Sequence, residues 1–127
     1  MAMKILIADD DGDIRRTLEI GLRRLGHEVH LVEDALRAFT HAQKAMPDAI
    51  LLDINMPRGS GLDVLSLLKD SPATRHIPVV VISGSADPEM PERVKRLGAV
   101  EYIAKPFDFS QVREALARHV EKARHPA

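Results

Sequence analysis

Three runs in this chain are apolar without interruption: Ile5-Leu6-Ile7-Ala8, Ala49-Ile50-Leu51-Leu52 and Val79-Val80-Val81-Ile82. A strand with one wet face alternates apolar and polar residues. A strand covered on both faces does not, and short continuous runs are how the strands of a parallel sheet read. Two further strands are predicted, Glu28–Val32 and a weaker one at 102–104.

Stretches of helical period separate these runs. Ile14, Leu18, Leu22 and Leu25 mark one face of a first helix, with Arg15, Arg16, Glu19, Arg23 and Arg24 outside. Ala35, Ala38, Phe39 and Ala42 mark a second, behind an expected N-cap at Asp34. Leu62, Leu65 and Leu68 belong to a third, Val94 and Leu97 to a short fourth starting near Pro91, and Val112, Leu116 and Val120 to a fifth. Arg24-Leu25-Gly26 and Arg96-Leu97-Gly98 each place glycine where a helix closes in a left-handed residue. Five βα units on one parallel sheet predict an α/β, doubly wound domain with helices on both faces.

At 127 residues the chain reads as one domain, with a core at about 4–120 and a tail or linker start at 121–127. A net charge of −1 shows no global bias toward nucleic acid, and neither a helix-turn-helix nor a basic stripe remains once the βα units are assigned. With no cysteine, neither a disulfide framework nor a thiolate metal site is available. No export segment is visible and no apolar run approaches the roughly 20 residues of a membrane span, so a cytoplasmic location is expected.

The chemistry concentrates where strands stop. The first run ends in Asp9-Asp10-Asp11 and the second in Asp53. Ending buried strands on acids is costly unless a cation sits among them. If these strands are parallel neighbours the acids converge on one sheet edge, where ligands of open α/β sheets bind. Such an oxygen set suits a hard divalent ion, Mg²⁺ above all. Asp11 and Asp13 read as helix-start acids. The six histidines show no metal-ligand spacing and read as surface residues.

Five features then add up to a resemblance covering nearly the whole chain. They are Asp9-Asp10, Asp53 within Leu52-Asp53-Ile54-Asn55-Met56-Pro57, the turn Gly59-Ser60-Gly61, Ser83 at the end of the fourth strand, and Lys105-Pro106 after the fifth. In that order, at strand ends and the loops after them, they resemble the receiver domain of bacterial two-component response regulators, chemotaxis-regulator-like single domains included. The resemblance implies a flavodoxin-like (βα)5 fold with strand order 2-1-3-4-5. It implies Asp53 as phosphoacceptor from a partner histidine kinase or histidine phosphotransferase. Mg²⁺ would be held by Asp9, Asp10, Asp53 and the backbone carbonyl of Asn55, with Ser83 and Lys105 on the phosphoryl oxygens and a cis peptide before Pro106. It further implies that Ser83 and Tyr102 switch a surface at about 91–119 toward a downstream effector or output domain, with no substrate turned over beyond the domain's own phosphorylation and dephosphorylation. Two positions depart from the family's usual pattern: Ser83 stands where threonine is commoner, and Gly84 where alanine is.

Other readings use the same residues differently. Asp9-Asp10-Asp11-Gly12-Asp13 superficially resembles the signature of haloacid-dehalogenase-type phosphohydrolases, which would make Asp9 the nucleophile and Asp11 the acid/base. That family's downstream Gly-Asp-x-x-x-Asp metal motif is missing here. A nucleotide-binding domain would need a Gly-x-Gly-x-x-Gly or Gly-Lys-Ser/Thr loop, and neither is present. A receiver serving only as an interaction surface would not need the full acidic set.

Overall fold

The computed structural model describes residues 2–56 and 59–121; Pro57 and all but the first residue of the 121–127 tail lie outside them. The elements alternate along the chain. They are β1 (Lys4–Ala8), α1 (Gly12–Arg24), β2 (Glu28–Val32), α2 (Ala35–Ala45), β3 (Ala49–Asp53), α3 (Gly61–Asp70), β4 (Val79–Ser83), α4 (Met90–Arg96), β5 (Glu101–Ala104) and α5 (Phe109–Leu116). A π-helical turn over Ala117–Glu121 prolongs α5. All strands are parallel, in the order β2-β1-β3-β4-β5. Among the described residues, no helix is long and apolar enough to cross a membrane.

The uninterrupted runs are the sheet's centre. Every residue of β3 and β4 is buried, and so is all of β1 except Lys4, whereas edge strands β2 and β5 are partly exposed. Two apolar layers result. Leu18 and Leu22 of α1 join Val112, Ala115 and Leu116 of α5 against Ile5, Ile7, Leu51 and Val80. On the other face, α2, α3 and α4 cover Leu6, Ala8, Ile50, Leu52 and Val81. Alternation of side chains along each strand sends successive residues into different layers.

Helix ends follow local chemistry. The Asp11 carboxylate accepts from the N–H groups of Asp13 and Ile14 and so caps α1, while Asp34 caps α2 through the Arg37 N–H. Gly26 and Gly98 take φ of 91° and 109°, closing α1 and α4. α4 carries Pro91 in its first turn.

Three expectations need correction. Leu25 is not a core residue: it caps the C-terminus of α1, where the helical stripe has ended, and is 41% exposed. β5 starts one residue earlier, at Glu101, which pairs with Val80. The histidines are not uniformly surface residues. His27 is buried with Nδ1 accepting the Met3 N–H, and His30 and His41 meet across two elements. Periodicity within one element cannot report a contact between two.

The loop after β3 is held by close approach of backbone. The Gly61 N–H donates to the Ile54 carbonyl at 3.0 Å. A Cβ on Gly61 would lie 2.5 Å from both Ile54 Cα and Ile54 O, and 2.7 Å from Asp53 O. The neighbour is main chain, which cannot swing aside as a side chain would. Gly61→Ala is therefore expected to cost about 1–3 kcal/mol, read as a lower urea midpoint. An unchanged midpoint would show that the loop yields without cost.

Candidate acidic phosphoacceptor site

Register creates the site. Ala8 of β1 lies opposite Leu52 of β3, so the next residues, Asp9 and Asp53, leave the sheet side by side at its carboxyl edge. Both are buried, at 2% and 3% exposure, while Asp10 is exposed. One oxygen from each of Asp9, Asp10 and Asp53 can be chosen so that all lie within 4.8 Å of one another.

A single ammonium answers the two buried acids. Lys105 follows β5, and its Nζ lies 3.1 Å from Asp9 Oδ2 and 3.2 Å from Asp53 Oδ2. The second contact is a hydrogen bond. The first is an ion pair without hydrogen-bond alignment, which leaves buried Asp9 Oδ2 with no hydrogen bond. The peptide bond between Lys105 and Pro106 is cis. Lys105 N–H donates to the Ser83 carbonyl at 2.8 Å, which ties the lysine's backbone to the end of β4.

The other carboxylate oxygens are bound locally. Asp9 Oδ1 accepts the Asp11 N–H at 2.9 Å, and Asp53 Oδ1 accepts the Asn55 N–H at 3.1 Å. Ser83 is fully buried one step past the Asp53–Ile82 pair, and its Oγ accepts the Ser85 N–H at 3.0 Å. Tyr102 is half-buried against the layer beneath α2, α3 and α4 rather than among the acids. Asp11 is occupied as a helix cap and Asp13 sits exposed in the first turn of α1, as expected.

One contributor was invisible in the sequence. Arg15, which helical period puts on the outer face of α1, is half-buried and donates from Nη1 to the Asp9 carbonyl at 2.8 Å. It fixes the backbone from which the acids project. Nothing in the local pattern separates it from its neighbour Arg16.

Burial is the largest influence on the Asp53 carboxyl and pushes it up, and the Asp9 charge adds to that. The Asn55 N–H and Lys105 pull the other way, leaving it raised from 3.8 to about 6. For Lys105, burial opposes the charged form, but the carboxylates of Asp9 and Asp53 outweigh it and hold the proton above the ordinary lysine value. Three carboxylates facing one ammonium leave two negative charges uncompensated, the charge of one divalent cation. With hard oxygen donors and an under-bonded buried carboxylate oxygen, the residues fit Mg²⁺.

Comparison with known proteins places this geometry. The family profile for the response regulator receiver domain matches residues 5–117. The chain belongs to the response regulator receiver domains of two-component signalling. It is 31% identical over 120 residues to sporulation initiation phosphotransferase F of Bacillus subtilis, covering 94% of this chain and 95% of that protein. It is 38% identical over 107 residues to the phosphate regulon transcriptional regulatory protein PhoB of Klebsiella pneumoniae, covering 84% of this chain and 47% of PhoB. The chain likewise spans under half the length of other curated relatives, 19% and 46% in two cases. Among solved structures, the receiver domain of sensor histidine kinase PA1611 from Pseudomonas aeruginosa superposes with a TM-score of 0.86 at 27% identity, covering 95% of this chain and 99% of that one. That structure has a magnesium ion coordinated in its active-site cleft.

The raised Asp53 value has a consequence for stability. Well below pH 3.8 the carboxyl is protonated in folded and unfolded chains alike and costs nothing. As pH rises from 3.8 to about 6 the unfolded chain ionises first, so stability falls across that window and stays lower above it. In metal-free buffer at pH 7, Asp53→Asn is expected to be more stable than the parent by on the order of 1–2 kcal/mol. The gain should shrink as pH falls through that window and vanish well below pH 3.8 in urea unfolding. Equal stability at pH 7 would show that the Asp53 carboxyl is not raised in the folded chain.

Proposed function

We propose that this domain accepts a phosphoryl group on the Asp53 carboxylate from a histidine of a partner kinase or phosphotransferase, and that the modified state is read by a downstream effector or output domain. One observation carries the proposal. Asp53 stands at the end of a central strand, in hydrogen-bond contact with Lys105 and beside two further carboxylates.

In the transfer, the phosphorus–nitrogen bond of phosphohistidine breaks as a bond forms between phosphorus and an Asp53 carboxylate oxygen. The electron pair leaves with the imidazole nitrogen. The obstacle is repulsion between an anionic nucleophile and anionic phosphoryl oxygens, so catalysis is mainly positioning and electrostatics. Asp9, Asp10, Asp53 and the Asn55 carbonyl would hold Mg²⁺, which supplies charge neutralisation at the phosphoryl oxygens. Lys105 contributes a second cation whose Nζ is already 3.2 Å from Asp53 Oδ2. Ser83, buried at the end of the neighbouring strand, offers a hydroxyl donor to the product.

The switch uses the same groups. New bonds from Ser83 and Lys105 to the phosphoryl oxygens are the differential contacts that shift the domain between states. The lysine's backbone is bonded to Ser83, so movement at one strand end is felt at the other. Tyr102 pairs with Val81 two residues before Ser83, and would turn inward as Ser83 moves. The surface at about 91–119 would carry the change to the effector. The domain turns over no external substrate, acts in the cytoplasm, and contacts neither nucleic acid nor membrane itself. Residues 4–120 form its core.

Incubation with acetyl phosphate and Mg²⁺ is expected to add one phosphoryl group by intact mass, and none with Asp53→Asn or without Mg²⁺. Phosphorylation of Asp9 instead would favour phosphohydrolase chemistry. Lys105→Ala should keep Mg²⁺ binding by calorimetry yet slow the mass gain, whereas Asp10→Ala should weaken Mg²⁺ itself. Unchanged Mg²⁺ affinity in Asp10→Ala would remove that residue from the ligand set.

A further inference from the structure

The three acids at the carboxyl edge are not held alike. Asp9 and Asp53 are buried, each bonded through one carboxylate oxygen to a nearby N–H, and both face Lys105. Asp10 is exposed, and no described residue hydrogen-bonds its carboxylate. Its aim toward the other two acids, whose oxygens lie within 4.8 Å, has to come from the backbone on either side of it.

That backbone is gripped by one residue of α1. Arg15 Nη1 donates to the Asp9 carbonyl at 2.8 Å, and the Arg15 main-chain N–H donates to the Asp11 carbonyl at 3.0 Å. The two bonds bracket Asp10. The Asp9 carbonyl belongs to the planar peptide unit that joins Asp9 to Asp10, so the side-chain bond fixes the plane from which Asp10 departs. The other backbone tie on Asp9, from its N–H to the Val32 carbonyl, is long at 3.3 Å.

The placing of the charge points the same way. Arg15 lies near the N-terminus of α1, where the helix dipole disfavours a cation. Its Nη2 lies 3.8 Å from the position that a Cβ on Gly12 would take, so the side chain folds back over the helix start instead of running out into water. Asp10, Asp11 and Asp13 are all near in sequence, yet Arg15 pairs with no described carboxylate and takes a main-chain carbonyl instead. A planar guanidinium with donors fixed in direction suits such a target. Asp10 is thereby left free for a cation.

We infer that Arg15 is a positioning residue that sets the Mg²⁺ selectivity of the acidic site by aiming Asp10, an inference that rests on Mg²⁺ binding by Asp9, Asp10 and Asp53. Mg²⁺ demands near-ideal octahedral geometry, whereas Ca²⁺ accepts flexible arrangements of oxygen, so loss of aim penalises Mg²⁺ more. The sign of the effect separates this role from that of a bare charge. Removing a cation beside a Mg²⁺ site strengthens Mg²⁺ binding if only its charge acts. It weakens Mg²⁺ binding if the bond to the Asp9 carbonyl is what counts.

The test is calorimetry of Mg²⁺ and Ca²⁺ binding to the whole chain, on the parent, Arg15→Met, Arg15→Lys and Arg16→Met. Arg15→Met should bind Mg²⁺ about 10–100-fold more weakly, the loss typical when a group that orients a metal ligand is removed, with a smaller loss for Ca²⁺. Arg15→Lys keeps the charge and a donor but not the planar fork, and should recover part of the Mg²⁺ affinity. Arg16→Met, at the exposed neighbouring position, should leave both affinities unchanged. Unchanged or tighter Mg²⁺ binding by Arg15→Met, equal losses for the two ions, or the same loss in Arg16→Met would each overturn the inference while leaving phosphorylation of Asp53 in place. A parent that binds no Mg²⁺ would remove this inference and the metal reading together. If Arg15→Met fails to fold, Arg15→Lys decides: a ratio of Mg²⁺ to Ca²⁺ affinity below the parent's supports the role, and an equal ratio ends it.

Discussion

Two carboxylates, Asp9 and Asp53, leave the sheet as neighbours and are almost wholly removed from water. Much of the surrounding structure answers that constraint. Lys105 is brought from the far side of the sheet order to pair with both acids. The N–H groups of Asp11 and Asn55 satisfy one oxygen on each, and Arg15 secures the Asp9 carbonyl. The compensation stops short of completion: Asp9 Oδ2 lacks a hydrogen bond and the Asp53 carboxyl is raised to about 6. A pocket left electrostatically short in this way is matched to a cation and to an anion that arrives with it, which is the need of phosphoryl transfer.

Much of this was legible in order of residues alone, because burial on both faces leaves a distinctive signature. β1, β3 and β4 announce themselves as unbroken apolar runs, and the acids that end two of them mark the functional edge. Strand order was not legible from spacing and came from family resemblance. Leu25 misled because it continues the apolar stripe onto the cap residue, where the helix closes just before Gly26. Arg15, His30 and His41 were opaque for a different reason. Each owes its role to a partner on another element, and periodicity describes only which way a residue faces.

The acidic site is one of several polar clusters among the described residues, Glu28 with His30 and His41 and Glu101 with Arg118 and His119 being others. Oxygen donors gather at the carboxyl edge, and imidazole nitrogens gather on the face of β2 beneath α2. They are not remote. His30 lies two residues before Val32, whose carbonyl accepts the Asp9 N–H at 3.3 Å.

The sheet order also determines when the acidic site can exist. Lys105 and Asp53 are 52 residues apart in the chain, and their contact spans the β3, β4 and β5 crossovers. No short fragment holds all the parts, and the entropy of closing those long loops must be met before the pocket forms. An ion bound there consequently stabilises the whole domain against global unfolding instead of bracing a single loop. Occupancy of the pocket is thus a measure of how completely the chain has folded.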